Sequence, residues 1–267
     1  MKKSPKTLFG EYFRNRITKR GGMPKGEAFE DFVAECSEAW ENEPCDEYGG
    51  MTPREYFASV TDVRALADML ETDIKEGGEP TALISGRLTE LPGAVSVLTE
   101  LAENGTEEVR MAAADILWQS DKVPVEAFAD MVFDPDTPEL FRERLIEILS
   151  ETDGIYPALS HRMEQATHDG ALILGELLVS SGEMNDDVYD FLLSLTRDPE
   201  TLPRALQLIA SYGDMRAIPS LKALAKDCDY ATYTDIRSAV EALGGDMDVE
   251  RDWKGDATYA RIKGKTE

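Results

Sequence analysis

Apolar residues recur at three- and four-residue steps through most of the chain, the spacing of one buried helical face, and no run alternates with the period of two that a strand needs. The helical pattern itself repeats. Segments of one kind begin near Pro80, Val109, Phe141, Ala171, Pro203 and Ile236, at steps of 29, 32, 30, 32 and 33 residues. Before each lies another helical stretch, at 63–75, 92–103, 124–133, 155–164, 186–196 and 215–226. Turn signals separate them, among them Glu76-Gly77-Gly78, Asn104-Gly105, Asp134-Pro135-Asp136, Asp153-Gly154 and Asp169-Gly170. A period of this length describes a stack of helix pairs, each too small to bury its own apolar face. The short connections make consecutive helices antiparallel neighbours.

Residues 1–60 are helical but lie outside the period. Leu8, Phe9, Tyr12, Phe13 and Ile17 form one stripe over 7–20, and Phe29, Phe32, Val33, Cys36 and Trp40 another over 24–41. Thr52-Pro53-Arg54-Glu55 reads as a capping box with Pro at the first helical position, opening a helix that runs through Val60. Residues 1–60 are therefore expected to be an N-terminal helical cap, 61–245 the repeat body, and 246–267 a polar, loose C-terminal tail.

Charge changes what such a body can bind. Asp plus Glu number 53 against 28 Lys plus Arg, a net charge of −25. Residues 1–25 hold eight bases and one acid, a balance of +7, so the remainder carries −32. A surface that negative repels phosphate backbones and anionic lipid, so neither nucleic acid nor membrane is an expected partner. No apolar run approaches the ~20 residues of a membrane span. The opening stretch has no continuous apolar core and no small-residue cleavage site, so it is not expected to be a secretory signal. Cys36, Cys45 and Cys228 are too few and scattered for a disulfide framework, which suits a reducing compartment, and the cytoplasm is expected.

The run Gly213-Asp214-Met215-Arg216-Ala217-Ile218-Pro219-Ser220-Leu221, leading into 236–244, resembles a HEAT-like helical repeat of the phycobilisome-lyase type. The unit from Gly93-Ala94-Val95 through Val109-Arg110 to 112–117 is similar to it. The resemblance spans about residues 61–245 and implies an all-α fold: a right-handed α-solenoid of about six helix pairs behind an N-terminal helical cap. It also implies that the second helix of each pair lines a concave face. In that family a loop Asp and an Arg six residues on form a ladder between repeats. Asp136 with Arg142 and Asp198 with Arg204 keep that spacing, whereas Asn104 precedes Arg110, Ala231 precedes Arg237, and the unit at Ala171 lacks the Arg. Such repeats host many activities, so the resemblance says little of function.

The residues that carry chemistry are sparse. His161 and His168 stand with six residues between them, not at the spacing of three or four that places two ligands on one helical face, although Glu164 lies nearby. The His-Glu pairs of HEAT-like hydroxylases are absent. Asp246-x-Asp248-x-Glu250 opens like a calcium loop, but Arg251 stands where Gly is needed and Ala257 where a bidentate Glu should be. No nucleophile elbow or phosphate loop is present. Gly86 and Gly175 fall inside helical segments, where close helix packing is the expected reason. No catalytic residue, cofactor or metal is therefore expected.

Arg110, Arg144, Arg204 and Arg237 on the second helices, with Arg14, Arg16, Lys19 and Arg20 on the first basic helix, are the candidate partner-binding residues. The expected function is a non-enzymatic scaffold, monomeric or weakly dimeric, that takes a basic protein or peptide on its concave face. The alternatives are an enzyme accessory or lyase-like chaperone with a groove pocket, or an acidic mimic of nucleic acid.

Overall fold

The computed structural model describes residues 3–77, 80–166, 168–248 and 251–263, the side chains of His168, Asp169 and Lys263 excepted. Gly78, Glu250 and the His168 side chain, named above, lie outside the described residues. The described residues contain sixteen α-helices and no strand, as the apolar spacing predicts. The chain divides into two compact units, Met1–Leu145 and Ile146–Glu267.

The first unit contains α1 (Pro5–Arg20), α2 (Glu27–Asn42), α3 (Pro53–Ser59), α4 (Val63–Gly77), α5 (Ala82–Glu90), α6 (Ala94–Asn104), α7 (Glu107–Gln119), α8 (Val125–Phe133) and the start of α9 (Glu139–Ser150). The capping box forms as read: the Thr52 hydroxyl accepts from the Glu55 amide at 3.2 Å, and the Glu55 carboxylate accepts from the Thr52 amide at 3.0 Å. α4 packs on α5, α6 on α7, and the pairs join through α4 against α6 and α5 against α7. Leu66, Leu70, Ile84, Leu88, Leu98 and Leu117 are fully buried where these faces meet.

α1 lies against α4 and α2. Its ring contacts are Phe9 to Trp40 at 5.5 Å and Phe13 to Phe32 at 5.6 Å. Its first turn is held by carboxylates of α4. Asp73, wholly buried, accepts from the Lys6 amide at 3.2 Å, the Thr81 amide at 3.0 Å and the Thr81 hydroxyl. Glu76 accepts from the hydroxyls of Thr7, at 2.7 Å, and of Ser4. Three helix ends thus meet at one buried acid, whose oxygens are satisfied by donors rather than by a counter-charge.

The second unit holds the rest of α9 with α10 (Tyr156–Ser160), α11 (His168–Ser180), α12 (Asp186–Ser194), α13 (Leu202–Tyr212), α14 (Ile218–Leu224), α15 (Tyr230–Ala242) and α16 (Ala257–Lys263). Here α10 packs on α11, α12 on α13 and α14 on α15, while α11, α13 and α15 pack in succession. Tyr212, near the end of α13, ties back to the start of α12: its hydroxyl lies 3.0 Å from both the amide and the carbonyl of Asn185, whose side chain caps α12.

Several elements differ from their sequence expectation. α10 stops at Ser160 rather than running to 164, because side chains take the carbonyls that a further turn would use. Ser160 Oγ donates to the Pro157 carbonyl at 3.2 Å, and Arg162 reaches the Ala158 carbonyl. The stretch 215–226 is a single 3₁₀ turn at Met215–Ala217 followed by α14, with Pro219 in the first turn of that helix. Gly175 is close-packed as expected: a Cβ there would lie 2.9 Å from Leu208 Cδ1 and 3.3 Å from Leu195 Cδ1. Gly86 is not, since a Cβ would meet nothing within 4 Å.

The tail is docked, not loose, over its described residues 251–263. Arg251 donates to the carbonyls of Ala225, at 3.1 Å, and Cys228, and lies 4.5 Å over the Trp253 ring. Trp253 packs edge-on to Tyr230 at 5.1 Å and against Tyr233 at 4.9 Å, and Tyr259 meets Tyr230 at 5.0 Å. Asp256 accepts from the amides of Tyr259, at 2.9 Å, and Tyr230, at 3.0 Å. The polar composition of the tail hid two aromatic residues that pack on the first turns of α15.

Two expectations follow for stability. Gly86→Ala gains about 0.5–1 kcal/mol in urea unfolding because it restores helix propensity at an open position. Gly175→Ala loses about 1 kcal/mol or more, because buried leucines of α12 and α13 and the following turn must move together. For the tail, the Tyr259 and then the Tyr230 amide hold the Asp256 carboxyl below its ordinary value. The unfolded chain therefore takes up the proton first, so the tail's stabilisation is full above the ordinary Asp range, about pH 4, and is lost as pH falls through the lowered value. The Trp253 indole proton resonance should report this release, and Asp256→Asn should remove the acid step.

Candidate functional site

The arginines singled out on the second helices are engaged within the chain. Arg110 donates from Nε to the Gly105 carbonyl at 3.0 Å and lies 5.9 Å over Phe141. Arg144 bonds Asp115 on α7 at 2.8 Å and covers the Trp118 ring at 5.0 Å. Arg204 bonds Glu176 on α11 at 2.8 Å and Gln207 at 2.8 Å, and Arg237 bonds Glu241 one turn on at 2.6 Å.

The expected Asp136–Arg142 rung does not form. Arg142 donates instead to the carbonyls of Asp134 and Thr137, both at 3.0 Å, and to Glu139 at 3.1 Å, while the Asp136 amide donates to the Asp134 carboxylate. The tight turn converges its carbonyls where the planar guanidinium fork can take several at once, and the Asp136 side chain stays at the surface. Links between successive helix pairs are ion pairs spaced near the repeat period. Asp115–Arg144, Glu176–Arg204 and Asp186–Arg216 are separated by 29, 28 and 30 residues.

On α1, Arg14 and Lys19 face solvent. Arg16 lies 5.7 Å over Tyr12 and Arg20 5.0 Å over Phe32. The basic helix thus keeps two of its four candidate cations on aromatic rings, one of its own and one of α2.

Two open grooves border these faces. One, of about 210 Å³, runs between α13 and α15 over Pro203, Leu206, Gln207, Ala210, Asp235 and Ala239. The other, of about 730 Å³, lies between the end of α4 and the α6–α7 turn, with Glu71, Lys75, Asn104, Thr106 and Glu108 on its walls. Among the described residues no three His, Cys, Asp or Glu side chains converge as a metal site, and His161 leans on its own helix, with Nδ1 3.3 Å from the Pro157 carbonyl. Cys36 is fully buried in the core. No helix among the described residues is long and apolar enough to cross a membrane.

Sequence reasoning missed Trp118. The apolar period marked α7, but only the fold shows that this ring is 38% exposed and held under Arg144. No protein-family model matches the chain, and no curated protein compared with it shows significant similarity. Replacing Arg144 by Ala should uncover Trp118 and red-shift tryptophan emission, while costing no more than about 1 kcal/mol of stability, since its ion pair is partly exposed.

Proposed function

We propose that the chain is a HEAT-like helical-repeat scaffold of the α-solenoid kind, non-enzymatic, that binds a basic protein or peptide along the faces of its second helices. The observation that carries this reading is the internal engagement of Arg110, Arg144, Arg204 and Arg237. Arg144, Arg204 and Arg237 are each paired with a carboxylate of their own chain and Arg110 is held on a carbonyl, so a partner would have to displace these contacts to use them. Exposed acids such as Glu107, Glu108 and Glu143 then set the sign of the surface offered to a partner.

In this reading the packing of α5 on α7, and of α11, α13 and α15 in succession, is the stacking of repeats, and the arginines hold their register. A cationic segment meets these acids without displacing anything, whereas an acidic one would have to compete for arginines already bound. The same charge sets the chain against nucleic acid and anionic lipid and suits it to the cytoplasm. α1 serves as the cap of the array, with Arg14 and Lys19 turned to solvent.

The test is affinity capture from host lysate at low and at high salt, read by mass spectrometry. Basic proteins retained at low salt and released at high salt are expected, because screening weakens exposed charge contacts within a Debye length of about 10 Å at 0.1 M. Capture of acidic proteins, or of none at either salt, would overturn the reading.

A further inference from the structure

A cavity of about 300 Å³ in the first unit lies away from the second-helix faces. Its apolar walls are Pro5, Tyr48, Tyr56, Phe57 and Met69, and Lys3, Asp68 and Thr72 border it. Tyr48 stacks on Tyr56 with ring centroids 4.4 Å apart, and both meet Phe57 edge-on, at 5.9 and 5.3 Å. Tyr48 is 8% exposed, yet its hydroxyl has no hydrogen-bond partner. Burial pushes its phenol above the ordinary value. A hydroxyl buried without a partner is costly, and natural interiors seldom leave one so.

The charged groups at the rim are unequal. Lys3 is committed to Glu11, with Nζ 2.7 and 2.6 Å from its two carboxylate oxygens. Thr72 donates its hydroxyl to the Asp68 carbonyl at 2.8 Å. The Asp68 carboxylate is exposed and makes no ion pair among the described residues, because Arg64, one turn earlier, is drawn to Glu100. An aromatic-lined cavity with a few polar groups is what a small ligand requires. Here the group left over is the Asp68 carboxylate, which accepts hydrogen bonds.

We propose that this cavity binds a small organic amine, with its apolar body against Tyr48, Tyr56, Phe57 and Met69 and its ammonium group at the Asp68 carboxylate. The site is independent of the scaffold reading and stands if that reading fails. A free aralkylamine and the lysine side chain of a peptide share this chemistry.

The test is a chemical-shift titration of the isotope-labelled full chain with 2-phenylethylamine, 2-phenylethanol and N-acetyl-lysine methylamide. Saturable shifts confined to the lining residues are expected, with the amine binding at least about tenfold more tightly than the alcohol, the value of one hydrogen bond to a charged group. Asp68→Asn should remove that preference, whereas Glu143→Gln, which deletes an equally exposed acid elsewhere, should not. Tyr48→Phe should leave the affinity for the amine unchanged and the melting temperature unchanged or higher, because it deletes a buried, unpartnered hydroxyl that the cavity does not expose. Tighter binding of the lysine derivative than of phenylethylamine would assign the ammonium to a peptide, and the reverse to a free amine. Equal affinity for amine and alcohol, equal losses in Asp68→Asn and Glu143→Gln, or shifts away from the cavity would overturn the proposal.

Discussion

The longest helices among the described residues, α1 and α2, have 16 residues, and α3, α14 and α16 have seven each. Helices shorter than about 12–15 residues are marginal on their own in water. Each therefore depends on a neighbour to cover its apolar stripe, and the pairing of α4 with α5, α6 with α7, and α12 with α13 meets that need. One pair still leaves an apolar face open, and the packing of α5 on α7 or of α11 on α13 closes it. Gly175 belongs to this economy of close approach, since three leucines occupy the space a Cβ would take. The period-spaced ion pairs, half-exposed as they are, fix register between neighbours more than they add stability.

Polar groups inside such thin layers must be satisfied locally. Asp73 shows the rule: a wholly buried carboxylate collects two amides and a hydroxyl and so gathers the ends of α1, α4 and α5. Tyr48, in the same unit, breaks it, because its buried hydroxyl has nothing to bond. The contrast gives the cavity beside Tyr48 its interest. A satisfied buried acid is architecture, whereas a buried hydroxyl without a partner is a cost that the fold carries in the wall of that cavity.

Engagement of the arginines has a functional consequence. A net charge of −25 describes the whole chain but does not say which surface is acidic. The fold draws Arg110 and Arg142 onto turn carbonyls and pairs Arg144 with Asp115, so these cations are held against their own chain rather than presented outward. Net charge becomes surface sign through tertiary contacts.

Helix content, the alternation of first and second helices and the capping box at Thr52 were legible in the sequence, because each rests on residues within a few positions of one another. Arg110 and Arg204 were legible as residues of the second helices, but not their partners: Gly105 is local, whereas Glu176 comes within reach only when α13 packs on α11. The docked tail escaped the sequence because the packing of Trp253 against Tyr230 and Tyr233 is settled by where α15 begins, not by the polar residues around it. The cavity joins residues near 4, 48, 57 and 69, which no local pattern connects. Periodicity in a chain determines which faces are apolar, because that follows from backbone geometry alone. Which polar groups find partners, and which are left to bind something else, is decided only when distant helices meet.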